Sequence, residues 1–558
     1  MMPRRAPLPL LAVLGLWLSA VAAVGIGGDF PLNDDWAYAH VVRSLVEGRG
    51  FDLLPWTGAT LVVQALYGTA VCKLAGFSHE VLRATTLVVS AFGIVAFHAL
   101  LVELGATVLL AAAGALALAL SPLWFNLSFT FMTDVPFAAL SVLAMWLYVR
   151  AFREGSVRAH LLAGAAAAAA FLIRQHALSI AAAAAITAML PLERQGQAPP
   201  PWSARLRCAL AGLAPALIAA AVYAVWAIRS ESLPLGLQNK LGEAAGVSML
   251  SMGAVAFRAL VTLGFLMAPW AALRPLPARA RSWFFASFAV LAAGAAFVFV
   301  HEGALMFYLS NLLDDFSVGA LTTRDTLFLG WPLRPAGGDA LHLALTVVST
   351  LCAAAVIARI AAGLAGSPAT AATRLPAAVF CVLALVLLAS GTLLQAHYYF
   401  DRYLLVPVAL AIASIVALAP QSRPGVAFAA ALAGLSLYSI AGTHDYLQWN
   451  RARWGLLAGL ESSGVSARSI DGGFEYNADR LAAELRTAPS DAQARRGQSE
   501  DTRSWWWVVD DEWIVAFRHL AGYKEVDSRR WTRWLPPGHG TVLLLHRASA
   551  ATQPGAEE

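Results

Sequence analysis

The chain has 558 residues, 59% of them hydrophobic and 13% charged, with a mean hydropathy of +0.64 and a formal net charge of +5. That charged share is about half of the roughly 25% usual in soluble domains, and the apolar residues fall in blocks of about 17–25, the length that crosses a bilayer. A soluble globular protein is excluded, and the net charge says little, because in a polytopic α-helical membrane protein the placement of charges outweighs their sum.

At the N-terminus, Met1-Met2-Pro3-Arg4-Arg5, an apolar run and Ala20-Val21-Ala22-Ala23 imitate a cleavable secretory signal. The length of the run and the many spans after it favour an uncleaved signal-anchor. Apolar blocks then predict about thirteen transmembrane helices, near 8–27, 84–103, 106–122, 134–152, 160–173, 175–190, 208–228, 254–271, 283–300, 341–362, 377–395, 402–419 and 424–441. The pair at 160–190 is interrupted by Arg174-Gln175-His176 and reads as two short helices meeting at a polar tip. Residues 1–440 form this membrane module. Residues 441–558 have the composition of a soluble α/β domain, with strand-like runs at 465–470, 504–509 and 540–546.

Short loops rich in Lys and Arg stay in the cytoplasm. With the N-terminus inside, Arg150, Arg153, Arg158, Arg194, Arg205, Arg207, Arg274, Arg279, Arg281, Arg359, Arg374 and Arg423 all fall inside. Eighteen Asp and Glu precede residue 441, and all but Glu103, Glu154 and Glu193 then face outward. The long outer loops 28–83, 229–253 and 301–340, with the C-terminal domain, make the extracytoplasmic face the expected working surface. Lysine is nearly absent, which fits GC-rich bacterial coding. Four cysteines without CxxC spacing argue against a disulfide framework or a zinc site.

Candidate site residues lie on that outer face. Asp34 and Asp35 follow the first apolar segment and precede an amphipathic run, Tyr38 to Val46. Adjacent helix residues do not share a face, so one of the two can work while the other caps the helix. Asp134 opens the fourth span and equally suits a helix start. Arg174, at a hairpin tip, needs an anion, either a carboxylate or a lipid phosphate. His397-Tyr398-Tyr399-Phe400-Asp401-Arg402-Tyr403 reads as an interfacial aromatic belt in which Arg402 is also suited to phosphate. His301-Glu302 and Asp314-Asp315 lack any diagnostic metal-ligand spacing. Trp505-Trp506-Trp507 reads as strand packing, with sugar stacking as the alternative.

Asp34-Asp35-Trp36-Ala37-Tyr38-Ala39 resembles the Asp-Glu-x-x-Tyr-Ala element of the protein O-mannosyltransferase and lipid A aminoarabinose-transferase superfamily. These are membrane glycosyltransferases of the GT-C fold. Gly48, Tyr67-Gly68, Leu82-Arg83, Thr133-Asp134-Val135-Pro136, Leu172-Ile173-Arg174-Gln175 and Arg402-Tyr403-Leu404-Leu405-Val406-Pro407 extend the resemblance in order through residues 1–440. Two departures stand out. Asp35 replaces the usual Glu, and Pro55-Trp56-Thr57-Gly58-Ala59 has no lysine where the aminoarabinose transferases carry Lys-Pro-Pro.

The resemblance implies transfer of a sugar from a polyprenyl-phosphate donor to an extracytoplasmic hydroxyl, with inversion. Asp34 would be the base, with Asp35 and Asp134 assisting, and Arg83, Arg174 and Arg402 would hold the donor phosphate. It implies no cofactor, leaves a divalent metal open, and places the chain as a multi-pass protein of the bacterial inner membrane with no nucleic-acid partner. A flippase of lipid-linked sugars, or a scaffold whose tail binds glycan, are the alternatives. Transport predicts ionisable groups at mid-membrane, whereas these charges lie at helix ends.

Overall fold

A computed structural model describes residues 8–193, 198–229, 248–303, 309, 311–314, 317–327, 329–330, 338–366, 375–393, 399–481 and 511–548. Each apolar block of the sequence carries a helix. Nine helices among the described residues are long and apolar enough to cross a membrane, from His79–Glu103 to Val426–Ser462. Leu8–Val24, Val62–Ala75, Val108–Ala119, Val157–Phe171 and Gln175–Met189 are apolar but shorter. Val62–Ala75 is a helix the hydropathy blocks did not predict. It carries only 14 residues and is broken from its neighbours by Gly76 and by a left-handed Leu61 (φ 61°).

The segment 157–189 shows how the polar tip forms. Val157–Phe171 ends, Arg174 is extended, and a short 3-10 turn at Gln175–Ala177 leads into Leu178–Met189. The freed carbonyls of this break are not wasted on apolar surroundings. Leu172 and Ile173 accept from the Val63 and Leu61 amides (both 3.2 Å), and Phe171 accepts from the Thr60 hydroxyl (2.5 Å). Buried backbone groups need such partners, so the tip is pinned to the loop before Val62–Ala75.

Residue 441 falls inside one continuous helix, Val426–Ser462. Its first half is apolar. From Thr443 onward it turns polar without any proline, so the helix continues and buries Tyr446, Trp449 and Leu457 against the C-terminal region. The C-terminal region therefore begins as an extension of this apolar helix.

Two small sheets complete the fold. β1 (Leu313–Asp314) and β2 (Ser317–Val318) form an antiparallel pair. β3 (Ile470–Asp471), β4 (Trp513–Ala516), β5 (Tyr523–Trp534) and β6 (Pro537–Arg547) form a four-stranded sheet in the order β3-β4-β6-β5. β3 and β4 are parallel, and β5 and β6 form a long hairpin with a bulge between Glu525 and Asp527. The strand-like runs at 465–470 and 540–546 meet β3 and β6, the first only at its end. The run at 504–509, with its three tryptophans, lies outside the described residues. A seven-residue helix, Phe474–Arg480, follows β3 and packs on the juxtamembrane helix Asp35–Val46.

Candidate active site

The turn that carries the two adjacent aspartates is built first by its backbone. Asn33 adopts φ 56°, a left-handed conformation that Asn tolerates better than most residues. The chain then enters the juxtamembrane helix at Asp35. Asp34 makes no side-chain capping bond, so its carboxylate is free to point elsewhere. Its Oδ2 meets Arg402 Nη2 at 2.9 Å, and its Oδ1 accepts from Trp56 Nε1 at 2.9 Å.

Asp35 does different work. Its Oδ1 accepts from the Leu32 amide (2.7 Å) and its Oδ2 from the Phe131 amide (3.0 Å). Both oxygens are thus spent on backbone, and the residue is buried. Burial pushes its carboxyl up to about 8, against the two amides and Arg83, which pull it down. Asp35 clamps the turn to the 128–133 loop and faces away from Asp34's partners, so the structure does not bring it to the site as a catalytic group.

Asp134 begins the helix Asp134–Glu154 with Thr133 at the N-cap. Its Oδ1 accepts from Arg174 Nη1 at 2.8 Å, and its Oδ2 has no hydrogen-bond partner among the described residues. Arg174 reaches it from the pinned tip and lies 5.2 Å from the Tyr403 ring centre. Arg402 comes from the turn before Leu405–Leu418. Its neighbour Asp401 points the other way and accepts from the Leu312 (3.0 Å) and Leu313 (2.5 Å) amides, holding β1 over the helix ends.

The Asp134–Arg174 pair and Arg402 share one small cavity, to which Asp34 is joined through its ion pair with Arg402. Asp134, Arg174, His176, Thr392, Arg402 and Tyr403 line it. Arg402 Nε and Nη1 are buried with no partner among the described residues. Tyr38, one helical turn beyond Asp34, stays a neutral phenol: burial, then the Asp34 carboxylate, hold it above its ordinary value. Unpaired guanidinium donors and an unpaired carboxylate oxygen on residues that line one cavity suit an anionic leaving group next to an acceptor hydroxyl.

Arg83 is not part of this cluster. Its guanidinium donates to the carbonyls of Phe129 (2.8 Å), Ile26 (2.5 Å), Gly28 (3.0 Å) and Phe30 (3.1 Å). Those bonds organise the loop that leads to Asn33 and occupy four of its five N–H donors. Tyr399 and Tyr403 are buried, at 5% and 6% exposure, so they pack within the protein instead of forming a lipid-facing belt. His397 and Tyr398 lie outside the described residues, as does Asp315. Among the described residues no group of three or more His, Cys, Asp or Glu is placed to hold a metal ion.

Sequence reading missed two contributors. Trp56 stands in the very element that lacks the lysine, and it supplies an N–H to Asp34 instead of a cation. Glu475, from the C-terminal region, accepts from the Asn33 amide (3.0 Å), the Thr322 hydroxyl (2.6 Å) and Arg453 Nη2 (3.0 Å). Gly472-Gly473 before Phe474-Glu475 is the signal that could have found it. Gly473 has φ 93°, and a Cβ there would lie 2.8 Å from the Thr322 carbonyl and 2.9 Å from Arg453. Only glycine lets this helix start so close to the Asn33 turn.

Residues 62–230 match the sequence profile of the dolichyl-phosphate-mannose-protein mannosyltransferase family. That stretch, under a third of the chain, includes Arg83, Asp134 and Arg174. Asp34, Arg402 and the C-terminal sheet lie outside it. Among solved structures, ArnT from Cupriavidus metallidurans bound to undecaprenyl phosphate is similar at 14% identity, over 98% of this chain and 99% of that one, with a TM-score of 0.40. The apo form of the same protein gives 14% identity, 85% and 84% coverage and a TM-score of 0.38. The oligosaccharyltransferase AglB from Archaeoglobus fulgidus, in complex with an inhibitory peptide and a dolichol-phosphate, gives 14% identity over 78% of this chain and 55% of its own, with a TM-score of 0.37. No curated protein sequence matches the chain.

Proposed function

We propose that this protein transfers a sugar from a polyprenyl-phosphate donor to an acceptor hydroxyl outside the cytoplasm, with inversion at the anomeric carbon. The observation that carries this reading is the pair of aspartate–arginine contacts at the helix ends, three of whose four residues line one cavity. The family matched over residues 62–230 is named for a dolichyl-phosphate sugar, a donor of the same chemical class. The phosphate of such a donor is a good leaving group without a strong acid. The reaction then needs a base for the acceptor and cations for the departing phosphate.

Asp34 is the proposed base. Its side chain is 12% exposed, against 1% for Asp134, so an acceptor arriving from solvent meets it first. Arg402 bridges the two halves of the reaction: Nη2 orients Asp34, while Nε and Nη1, buried without partners among the described residues, are left for the phosphate. Asp134 holds Arg174 beside the same cavity. As the acceptor oxygen attacks the anomeric carbon, its proton passes to Asp34 and the bond to the phosphate oxygen breaks, leaving polyprenyl phosphate on the arginines.

Purified protein incubated with a synthetic polyprenyl-phosphate sugar and envelope extract should release free polyprenyl phosphate. Asp34→Asn should reduce release at least 100-fold at unchanged membrane levels, the lower end of what a general base contributes. Transport of intact donor without release, or near-normal turnover in Asp34→Asn, would overturn the assignment.

A further inference from the structure

The β5–β6 hairpin has no role in the site described above, and its placement is set by the long helix Val426–Ser462. Asp445 of that helix accepts from the Trp534 (2.7 Å) and Leu535 (3.0 Å) amides at the hairpin tip. His444 stacks on Trp534 with ring centres 3.6 Å apart. Farther up, the Arg529 guanidinium lies over Gly455, where a Cβ would collide with it. The hairpin therefore runs along the helix, tip toward the membrane half. The two measures agree: ten helical residues from Gly455 to Asp445 span about 15 Å, and five strand residues from Arg529 to Trp534 about 17 Å.

The helix also fixes the depth of the tip. From Val426 to Asp445 the rise is about 28 Å, close to the roughly 30 Å of a bilayer's hydrocarbon core. Asp445 thus sits where hydrocarbon gives way to headgroups. Trp534 beside it is 38% exposed, and Pro536 to His539 at the turn are exposed. Charge along the hairpin is graded in the same sense. Toward the far end Glu525 and Asp527 offset Lys524 and Arg547, whereas Arg529, Arg530 and Arg533 crowd the half nearest the tip without an acid, with Trp534 and His539 beside them. A tryptophan flanked by arginines at this depth matches the interfacial chemistry of membrane proteins, and basic residues near the bilayer are drawn to anionic headgroups within a Debye length.

We infer that the tip of the β5–β6 hairpin is a lipid contact, seated in the headgroup layer and held there by the phosphates of anionic phospholipids. The contact would fix the C-terminal sheet against the bilayer surface while Glu475 joins the same region to the Asn33 turn. It rests on the long helix crossing the membrane and is independent of the proposed chemistry.

The test places an environment-sensitive fluorophore on the full-length protein in nanodiscs, at His539→Cys near the tip and separately at Lys524→Cys. Lys524 is exposed and ten strand residues from Trp534, about 33 Å along the strand. A headgroup-attached nitroxide lipid should quench the label at 539 several-fold more than the label at 524. Phosphatidylglycerol should blue-shift the 539 emission relative to phosphatidylcholine alone, and Arg530→Glu with Arg533→Glu should remove that shift. Equal quenching at the two positions overturns the inference. So does an emission at 539 that ignores phosphatidylglycerol or survives the charge reversal.

Discussion

Glu475→Gln tests whether the C-terminal region holds the catalytic turn. Glu475 and Arg453 are both fully buried and 3.0 Å apart, and Arg453 lies 5.0 Å from the Trp449 ring centre. Neutralising the acid leaves the guanidinium without its counter-charge, and breaking a buried pair in this way costs about 3–5 kcal/mol. The amide brings a second cost. If its oxygen stays with Arg453 and Thr322, its NH2 confronts the Asn33 amide, and a buried donor facing a donor costs about 1–3 kcal/mol. That second quantity is what aligns Asp34, and it converts to roughly a 5- to 150-fold fall in turnover. Donor KM should change little, because the arginines are untouched.

Thermal unfolding followed by tryptophan fluorescence reads the first cost, since Trp449 and Trp454 flank Arg453. Turnover reads the second. Removing both charges with Arg453→Met added to Glu475→Gln should recover stability and part of the turnover, because the amide can then turn its oxygen to the Asn33 N–H and its NH2 to the Thr322 hydroxyl. A Glu475→Gln protein within about 0.5 kcal/mol of the parent, with full turnover, would refute the reasoning.

Three further perturbations separate the roles of neighbouring residues. Arg402→Lys can keep a charge near Asp34 but loses the planar fork that also faces the cavity; turnover should fall more than tenfold, and a variant at parental rate would remove Arg402 from the site. Trp56→Phe keeps the ring against Trp36 and Phe474 and deletes only the N–H to Asp34. Loss of one hydrogen bond to a charged group, about 1.5–3 kcal/mol, should lower turnover about tenfold or more without lowering the melting temperature, and the opposite pattern would make Trp56 a packing residue. Asp35 supplies a pH dependence. Its folded value of about 8 lies above the ordinary carboxylate value of 3.8, so the folded state keeps a proton that the unfolded chain releases. The stability this contributes is complete below about pH 4 and is lost as pH rises to about 8. Melting temperature should decline across that interval in the parent and less steeply in Asp35→Asn; parallel slopes would show that Asp35 does not titrate there.

The sequence by itself determined the class. Apolar blocks of membrane-spanning length leave few architectures open to a chain whose backbone must be satisfied without water, and the ordered motifs resemble those of the GT-C superfamily. It also nominated Asp34, Asp35, Asp134, Arg83, Arg174 and Arg402, because charge at the ends of apolar helices has few reasons to be there. What it could not decide was which of several similar charges face one another. Asp34 and Asp35 are adjacent and chemically alike, yet a left-handed Asn33 sends one to Arg402 and leaves the other on backbone amides. Arg83 is as good a phosphate ligand as Arg402 on paper, and only the tertiary structure shows four of its five donors given to carbonyls. Glu475 is 442 residues from Asn33, a distance over which no local pattern carries information. Helix spans are legible because hydropathy is a property of neighbours in sequence, whereas the site is a property of neighbours in space.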